Sequence, residues 1–224
     1  MRKSISHFKF LLLRTLMWNN VVRFVYIAIC LSGLQDSARL PLPPHLATGG
    51  CWQFLTNVAL FFTCIAVGSR IAIDVANKKL WYYDQLDSMV TVAMLACAHL
   101  EFVVTVAYWV MLWVFPYSLN VDSFEVSLLL DLKIHLFPYI FLTIDASWNR
   151  YRSRRHSIVV AEAVLVVYWA VIEAHMWWCR GDGVTKFPYP FLSNASMGKR
   201  SVLLVLFGSL AAADYFAKKT FRRR

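Results

Sequence analysis

Apolar residues in this chain come in long runs separated by short polar stretches, instead of alternating or recurring on one narrow helical face. A run of roughly 20 apolar residues is the length of helix that crosses a bilayer. The pattern predicts six such helices, at 17–35, 50–73, 88–114, 127–145, 158–178 and 200–217. Prolines in PLPP at 41–44 stop the first, since proline lacks the N–H a helix needs. A polar stretch holding Asp74, Lys78, Lys79 and Asp84 ends the second, PYSLNVDSFE at 116–125 parts the third from the fourth, and WNRYRSRRHS at 148–157 follows the fourth. Residues 1–20 mix Arg2, Lys3, Lys9 and Arg14 with apolar side chains, which reads either as an amphipathic lead-in at the interface or as the ragged start of the first helix. Arg23, inside the first run, is expected to snorkel to the nearer headgroups.

Composition agrees with that reading. The chain is 59% hydrophobic and 16% aromatic, with a mean hydropathy of +0.52, more apolar surface than a soluble domain of 224 residues hides. The expected fold is an all-α, polytopic membrane protein, a six-helix bundle forming one integral membrane domain over 1–224. The net charge of +10 raises the question of nucleic acid, but the basic residues sit at segment ends with no aromatic-interleaved stripe, so no nucleic-acid partner is expected. They read instead as topology signals. Arg and Lys crowd the N-terminal lead, the second loop, the fourth loop and the tail KKTFRRR, while the other three loops carry few. Positive residues favour the cytosolic side, which places both termini there and calls for an even number of crossings. With no signal peptide and a short basic tail, the expected location is the endoplasmic reticulum or another endomembrane rather than the plasma membrane. The five cysteines lack any C-x-x-C spacing and read as small buried residues, with a Cys51–Cys179 disulfide as a minor alternative. Asn194-Ala195-Ser196 is a glycosylation sequon so close to the last helix that little use of it is expected.

Chemistry enters through the fourth run, SLLLDLKIHLFPYIFLTID at 127–145, which places Asp131, Lys133 and His135 in a stretch meant for hydrocarbon. Ionisable residues there are costly and point to function by default. Entering from the outer side near Ser127, the helix carries His135 roughly 12 Å deep at 1.5 Å per residue. The second helix also starts on the outer side, near Gly49, and places Thr56 about 10 Å deep by the same rise. A hydroxyl and an imidazole at matching depth are the minimum for a base-activated oxygen nucleophile. Depth alone leaves the plainer readings open: threonines in membrane helices often bond their own backbone, and a lone histidine often satisfies a packing partner.

The words around these residues are more specific. Gly49-Gly50-Cys51-Trp52-Gln53-Phe54-Leu55-Thr56, GGxWxxLT, resembles the start of the second span in the androgen-induced and androgen-dependent family of six-span membrane proteins. His135, followed ten positions later by Asp145 and then by the basic loop Arg150–Arg155, is similar to that family's fourth span, and Tyr189-Pro190-Phe191-Leu192 to its YPFL after the fifth. Here the acid is Asp where relatives carry Glu, and Pro138 stands three residues after His135. The resemblance implies a threonine hydrolase acting on fatty acid esters of hydroxy fatty acids, with Thr56 as nucleophile and His135 as its essential partner. It implies no metal or other cofactor, and membrane lipids and a lipid ester as partners.

Other polar residues receive supporting roles. Asp131, one turn before His135 on the same face, is a candidate to orient the imidazole, with an interfacial carboxylate paired to Lys133 or water as the stronger alternative. Asn57 is a weaker candidate for meeting an oxyanion, since it points about 100° away from Thr56. Asp145 lies too far along the helix to reach His135 and reads as an inner-interface group or a basic-loop partner. Trp52, His99, Glu101 and Tyr139 are candidates to line an acyl cavity, although His99 and Glu101, two positions apart on different faces, read more strongly as buried structural groups. No H-x-x-x-H cluster and no G-x-S-x-G occurs, against a di-iron enzyme and a serine α/β-hydrolase. The competing class is a transporter, channel or scaffold in which His99, Glu101, Asp131 and His135 form a proton or ion path.

Overall fold

The computed structural model describes residues 2–76, 81–114, 127–151, 154–193 and 195–221, with the side chains of these outside 2–16, 190 and 221. Helix α1 spans Arg2–Arg39 without a break, so the lead-in and the first apolar run are one rod that stops just before Pro41. Two short 3-10 turns follow, Pro44–Leu46 and Gly50–Gln53. The second opens on Gly50 at φ +58°, a left-handed backbone that glycine adopts without steric cost. Phe54 is extended, and only then does α2 begin, spanning Leu55–Val75. The second run therefore starts its membrane helix five residues later than its apolarity predicts, because the Gly-Gly pair and the extended Phe54 hold residues 49–54 in a separate turn.

Helix α3 spans Tyr83–Val114. The fourth run splits into α4 (Leu128–Asp131), a wide π turn over Leu132–Leu136, and α5 (Phe137–Trp148). Ser127 caps its start, accepting a hydrogen bond from the Leu130 N–H at 3.2 Å. Helix α6 spans Arg155–Cys179, a short α7 Pro190–Ser193, and α8 Met197–Phe221. Among the described residues all regular structure is helical. Five helices, Met17–Arg39 within α1, α2, α3, α6 and Met197–Thr220 within α8, are long and apolar enough to cross a membrane. The run expected as a further crossing is unbroken from Leu128 to Trp148 but changes pitch within it.

The outside of the bundle explains the composition. On α6, Val159, Val166, Val167 and Val171 all face outward along one stripe, as do Val202, Val205 and Leu206 on α8. Such a surface has no business in water but is matched to acyl chains. The chain is an all-α polytopic membrane protein.

Helix α3 is the central post. One apolar cluster joins it to α1, α2, α4, the π turn and α5 through Tyr26, Leu60, Leu95, Leu130, Ile134 and Leu142; a second joins it to α2, α6 and α8 through Leu55, Leu100, Val103, Leu165, Ile172 and Ala211. Where α1 crosses the π turn the packing leaves no room for a side chain on Gly33: a Cβ placed there would lie 2.8 Å from the Ile134 Cγ2 methyl. That methyl is on a β-branched side chain with little rotamer freedom in a helix. Gly33→Ala should therefore push the π turn outward and lower the melting temperature of the purified protein by several degrees, whereas Gly68→Ala, with open space around it, should leave it unchanged or raise it.

A charge cluster pins one end of this bundle and overturns the expectation for Arg23. Its side chain is not at an interface but 0% exposed. The guanidinium bonds Asp145 at 2.8 Å, Asp74 at 2.5 Å, Asn20 at 3.1 Å and the Tyr151 hydroxyl at 3.1 Å. Arg70 bonds Asp74 and, at 2.7 Å, Asp87. Burial of that charge is tolerated because so many of its donors find acceptors, four of them on α2, α5 and the turn after it as well as on α1. Asp145, ten residues beyond His135, thus belongs to this cluster and not to the histidine. All five cysteines are free thiols, so Cys51 and Cys179 are not joined. Asn194 lies outside the described residues.

Candidate functional site

Pro138 shapes the site. It has no N–H to offer the preceding turn, and its ring crowds the carbonyl four residues back, so the helix ahead of it widens. The wide turn closes with the Phe137 N–H bonded to the Leu132 carbonyl, five residues back. His135 sits in this turn, and its carbonyl accepts a hydrogen bond from the Thr105 hydroxyl of α3 at 2.6 Å. A π turn inside an otherwise ordinary helix is often found at functional sites. Here it swings the imidazole toward the start of α2.

There it meets Thr56. The Thr56 Oγ1 and His135 Nδ1 are 3.5 Å apart, the long end of hydrogen bonding, and the two residues are 9% and 8% exposed. Catalytic contacts are often this loose without substrate and tighten when it binds. The two residues singled out by depth are brought together, and Thr56 stands in the first turn of α2. The neighbouring amides of that turn are already committed: the Leu55 N–H donates to the Tyr189 hydroxyl at 3.2 Å, and those of Asn57 and Val58 to the Phe54 carbonyl. Among the described residues the Thr56 N–H has no acceptor.

The YPFL segment meets the same place. Tyr189 caps Leu55 as described, Phe54 packs edge-on against the Tyr189 ring, and the Tyr168 hydroxyl of α6 donates to the Gln53 carbonyl at 2.7 Å. Its loop is tied down on the other side, the Lys186 N–H donating to the His45 carbonyl at 3.0 Å. Asp182 organises the loop by accepting from the Thr185 hydroxyl and from the N–H groups of Thr185 and Val184, bonds that hold its carboxyl below the usual carboxylate range. Three stretches far apart in sequence, 49–56, 135 and 189–192, therefore converge on the N-terminal turn of α2. Behind Tyr189, aromatic and aliphatic side chains including Trp169, Phe187, Phe191 and Phe207 line a small apolar crevice between α6 and α8.

The supporting residues stand differently from expectation. Asp131 does not meet His135: its carboxylate lies against the Tyr108 hydroxyl, and one of its oxygens, Oδ1, has no partner among the described residues. Lys133 pairs with Asp36 of α1 at 3.0 Å, not with Asp131. The Asn57 amide is spent on the Ser37 hydroxyl at 3.0 Å and the Cys51 carbonyl at 2.7 Å, so it fastens the entry turn to α1 and is not free for an oxyanion. Trp52 is 54% exposed and packs edge-on against Phe61, facing out of the bundle. What the sequence did not single out is Tyr108, whose ring lies flat on the His135 imidazole. The signal was available: Tyr108 is seven residues after Glu101 and three after Thr105, on one face of α3.

His99, Glu101 and Tyr139 belong to other clusters. The Glu101 Oε1 accepts from the Thr63 hydroxyl at 2.8 Å, while its Oε2 has no partner among the described residues. His99 lies between Asp214 (2.7 Å) and Ser157 (3.2 Å), and Asp214 also takes Tyr139 at 2.9 Å and Lys218 at 2.6 Å. Ser157, His99 and Asp214 follow the order of a catalytic triad, but the Ser157 hydroxyl donates to the Arg154 carbonyl at 2.7 Å and the three residues are almost wholly buried. The cluster is a tie between α3, α5, α6 and α8. Asp214→Ala, which removes the carboxylate shared by His99, Tyr139 and Lys218 at the meeting of four helices, should lower thermal stability by several degrees and leave substrate affinity untouched where the protein stays folded. Among the described residues no group of three or more His, Cys, Asp or Glu is placed to hold a metal ion.

Comparison with known proteins agrees with the motifs. The pattern that describes FAR-17a/AIG1-like proteins matches residues 10–223. The chain is 24% identical over 217 residues to the UPF0641 membrane protein YHR140W of Saccharomyces cerevisiae (strain ATCC 204508 / S288c), with 84% of each chain covered. No solved structure matches.

Proposed function

The chain belongs to the FAR-17a/AIG1-like family of membrane proteins, and from that membership together with the Thr56–His135 contact we propose that it is an intramembrane hydrolase of fatty acid esters of hydroxy fatty acids. The observation that carries the reading is the 3.5 Å approach of Thr56 Oγ1 to His135 Nδ1 between two buried side chains. Neutral His135, with its proton on Nε2, takes the hydroxyl proton on Nδ1 as Thr56 Oγ1 attacks the ester carbonyl. Collapse of the tetrahedral intermediate expels the hydroxy fatty acid, which takes that proton, and leaves an acyl-threonine. Water, deprotonated by the same nitrogen, then releases the fatty acid and restores Thr56.

The Thr56 N–H, in the first turn and at the positive end of α2, is the donor we assign to the oxygen that becomes negative. Neutral Thr and His are also far cheaper to hold in a membrane than a standing charge. With six crossings and both termini in the cytosol, the pair lies in the lumenal half of the bilayer, within reach of a substrate that partitions into lipid. The membrane we propose is that of the endoplasmic reticulum or another endomembrane.

The test uses membranes containing the full chain, a fluorophosphonate probe and a branched fatty-acid ester. Wild type should label and hydrolyse; Thr56→Ala and His135→Ala should do neither. Equal labelling and hydrolysis by both variants would sink the hydrolase reading and leave a transporter or scaffold as the class to pursue.

A further inference from the structure

His135 is held from α3 at two points. Its carbonyl, within the π turn, accepts from the Thr105 hydroxyl at 2.6 Å. Its ring is covered by Tyr108, with ring centroids 3.5 Å apart and planes within 6° of parallel. Thr105 and Tyr108 are three residues apart, so one face of one helix presents both. The Tyr108 hydroxyl in turn lies against Asp131, one turn before His135. Neither Tyr108 nor Thr105 reaches Thr56 among the described contacts, so whatever they contribute passes through His135.

A base takes a proton along the lone pair of its nitrogen, which lies in the ring plane. Rotating the imidazole about its Cβ–Cγ bond would swing Nδ1 away from Thr56, and it would also drive the ring edge into a tyrosine face only 3.5 Å away. The stack therefore blocks the very motion that would spoil proton transfer. It also places an electron-rich face against the ring that becomes positively charged as the proton arrives, an arrangement that favours the imidazolium. The Thr105 bond fixes the other coordinate, the height of His135 along α3.

We infer that Tyr108 and Thr105 are positioning residues for His135, Tyr108 setting the plane of the imidazole and Thr105 the placement of its backbone. This rests on the hydrolase reading for its kinetic consequence, but the placement itself has a readout free of catalysis. A flat stack shifts the imidazole C–H resonances by the tyrosine ring current. In histidine-labelled protein in nanodiscs, with the His135 signals identified by their loss in His135→Gln, those resonances should move in Tyr108→Leu and stay in place in Tyr108→Phe.

The kinetic arm uses the same variants and the branched ester. Tyr108→Leu should lower kcat about 10- to 100-fold with KM little changed, the scale expected when a catalytic group is displaced by about 1 Å. Tyr108→Phe, which keeps the ring and loses only the hydroxyl, should restore kcat to within about threefold of wild type, since the ring is what blocks rotation. Thr105→Val should fall between them and keep KM. Where Tyr108→Leu fails to accumulate, the comparison of Tyr108→Phe with Thr105→Val decides. Imidazole resonances unmoved in Tyr108→Leu, a Phe variant as impaired as the Leu variant, or a loss confined to KM each overturns the inference. If Thr56→Ala hydrolyses at the wild-type rate, the hydrolase reading falls, and the ring-current shift alone says whether Tyr108 holds His135.

Discussion

Thr56→Ala is expected to cut the turnover of a branched fatty-acid ester by on the order of 10³-fold or more, the scale of losing an enzyme's nucleophile. The Thr56 oxygen is the hydroxyl facing the His135 Nδ1, and among the described residues no other hydroxyl bonds that nitrogen. His135→Gln should cost about 10²- to 10⁴-fold, the range of general-base catalysis, while leaving the polar character of the turn in place. Because one mechanism uses both groups, the double variant should be no slower than the slower single one. Thr56→Ser keeps the attacking oxygen and loses the methyl that restricts its rotamer, so it should retain activity within about tenfold of wild type. Steady-state kinetics in nanodiscs, with melting curves showing each variant folded, make the comparison. Losses that multiply in the double variant, or a Thr56→Ala protein retaining a tenth of wild-type turnover, would remove the pair from the reaction.

The parts of this structure legible in the sequence are those governed by solvent. Long apolar runs had to become membrane helices whatever their detailed packing, because only a helix satisfies its own backbone in hydrocarbon. Thr56 and His135 were legible through the GGxWxxLT and fourth-span motifs, whereas the depth count that also matched them took residues 49–54 as membrane helix, and α2 starts only at Leu55. The wide turn at Leu132–Leu136 was not, although Pro138 announced some break; whether a proline kinks a helix or widens it depends on its neighbours across the bundle, and Thr105, which bonds the His135 carbonyl in that turn, lies about thirty residues upstream.

Charge pairing was the least legible feature. Arg23 was expected at a headgroup because a single long cation near a helix end normally snorkels, yet three carboxylate and hydroxyl partners from α2, α5 and the turn after it converge on it. Asp131 is one turn from His135 and on its face, the right sequence geometry for an orienting acid, but the stacked Tyr108 ring stands beside the imidazole and its hydroxyl occupies the carboxylate. Periodicity predicts which side of a helix a residue takes. It does not predict which neighbour across the bundle reaches it first.

Arg23→Met is expected to be the most destabilising substitution outside the site. It removes the cation from Asp145, which is 7% exposed, and one of two cations from Asp74. Breaking a buried pair by taking one partner away costs about 3–5 kcal/mol, mostly the penalty of the stranded charge. That is a large share of the roughly 5–15 kcal/mol by which a domain is stable. If the stranded carboxylate is the cause, neutralising it must help: Arg23→Met with Asp145→Leu should recover much of the loss, and Arg23→Met with Asp87→Asn should not, since Asp87 is held by Arg70 and not by Arg23. Cys30, wholly buried on the same helix, supplies the readout in a background where Cys51, Cys64, Cys97 and Cys179 are replaced by alanine, because its thiol then takes up a maleimide dye when α1 leaves the bundle. Thermal midpoints for dye uptake that are equal in wild type and Arg23→Met would show that the cluster contributes nothing to stability; a rescue by Asp87→Asn as large as that by Asp145→Leu would show that net charge at this end of the bundle, and not the buried pair, is what Arg23 balances.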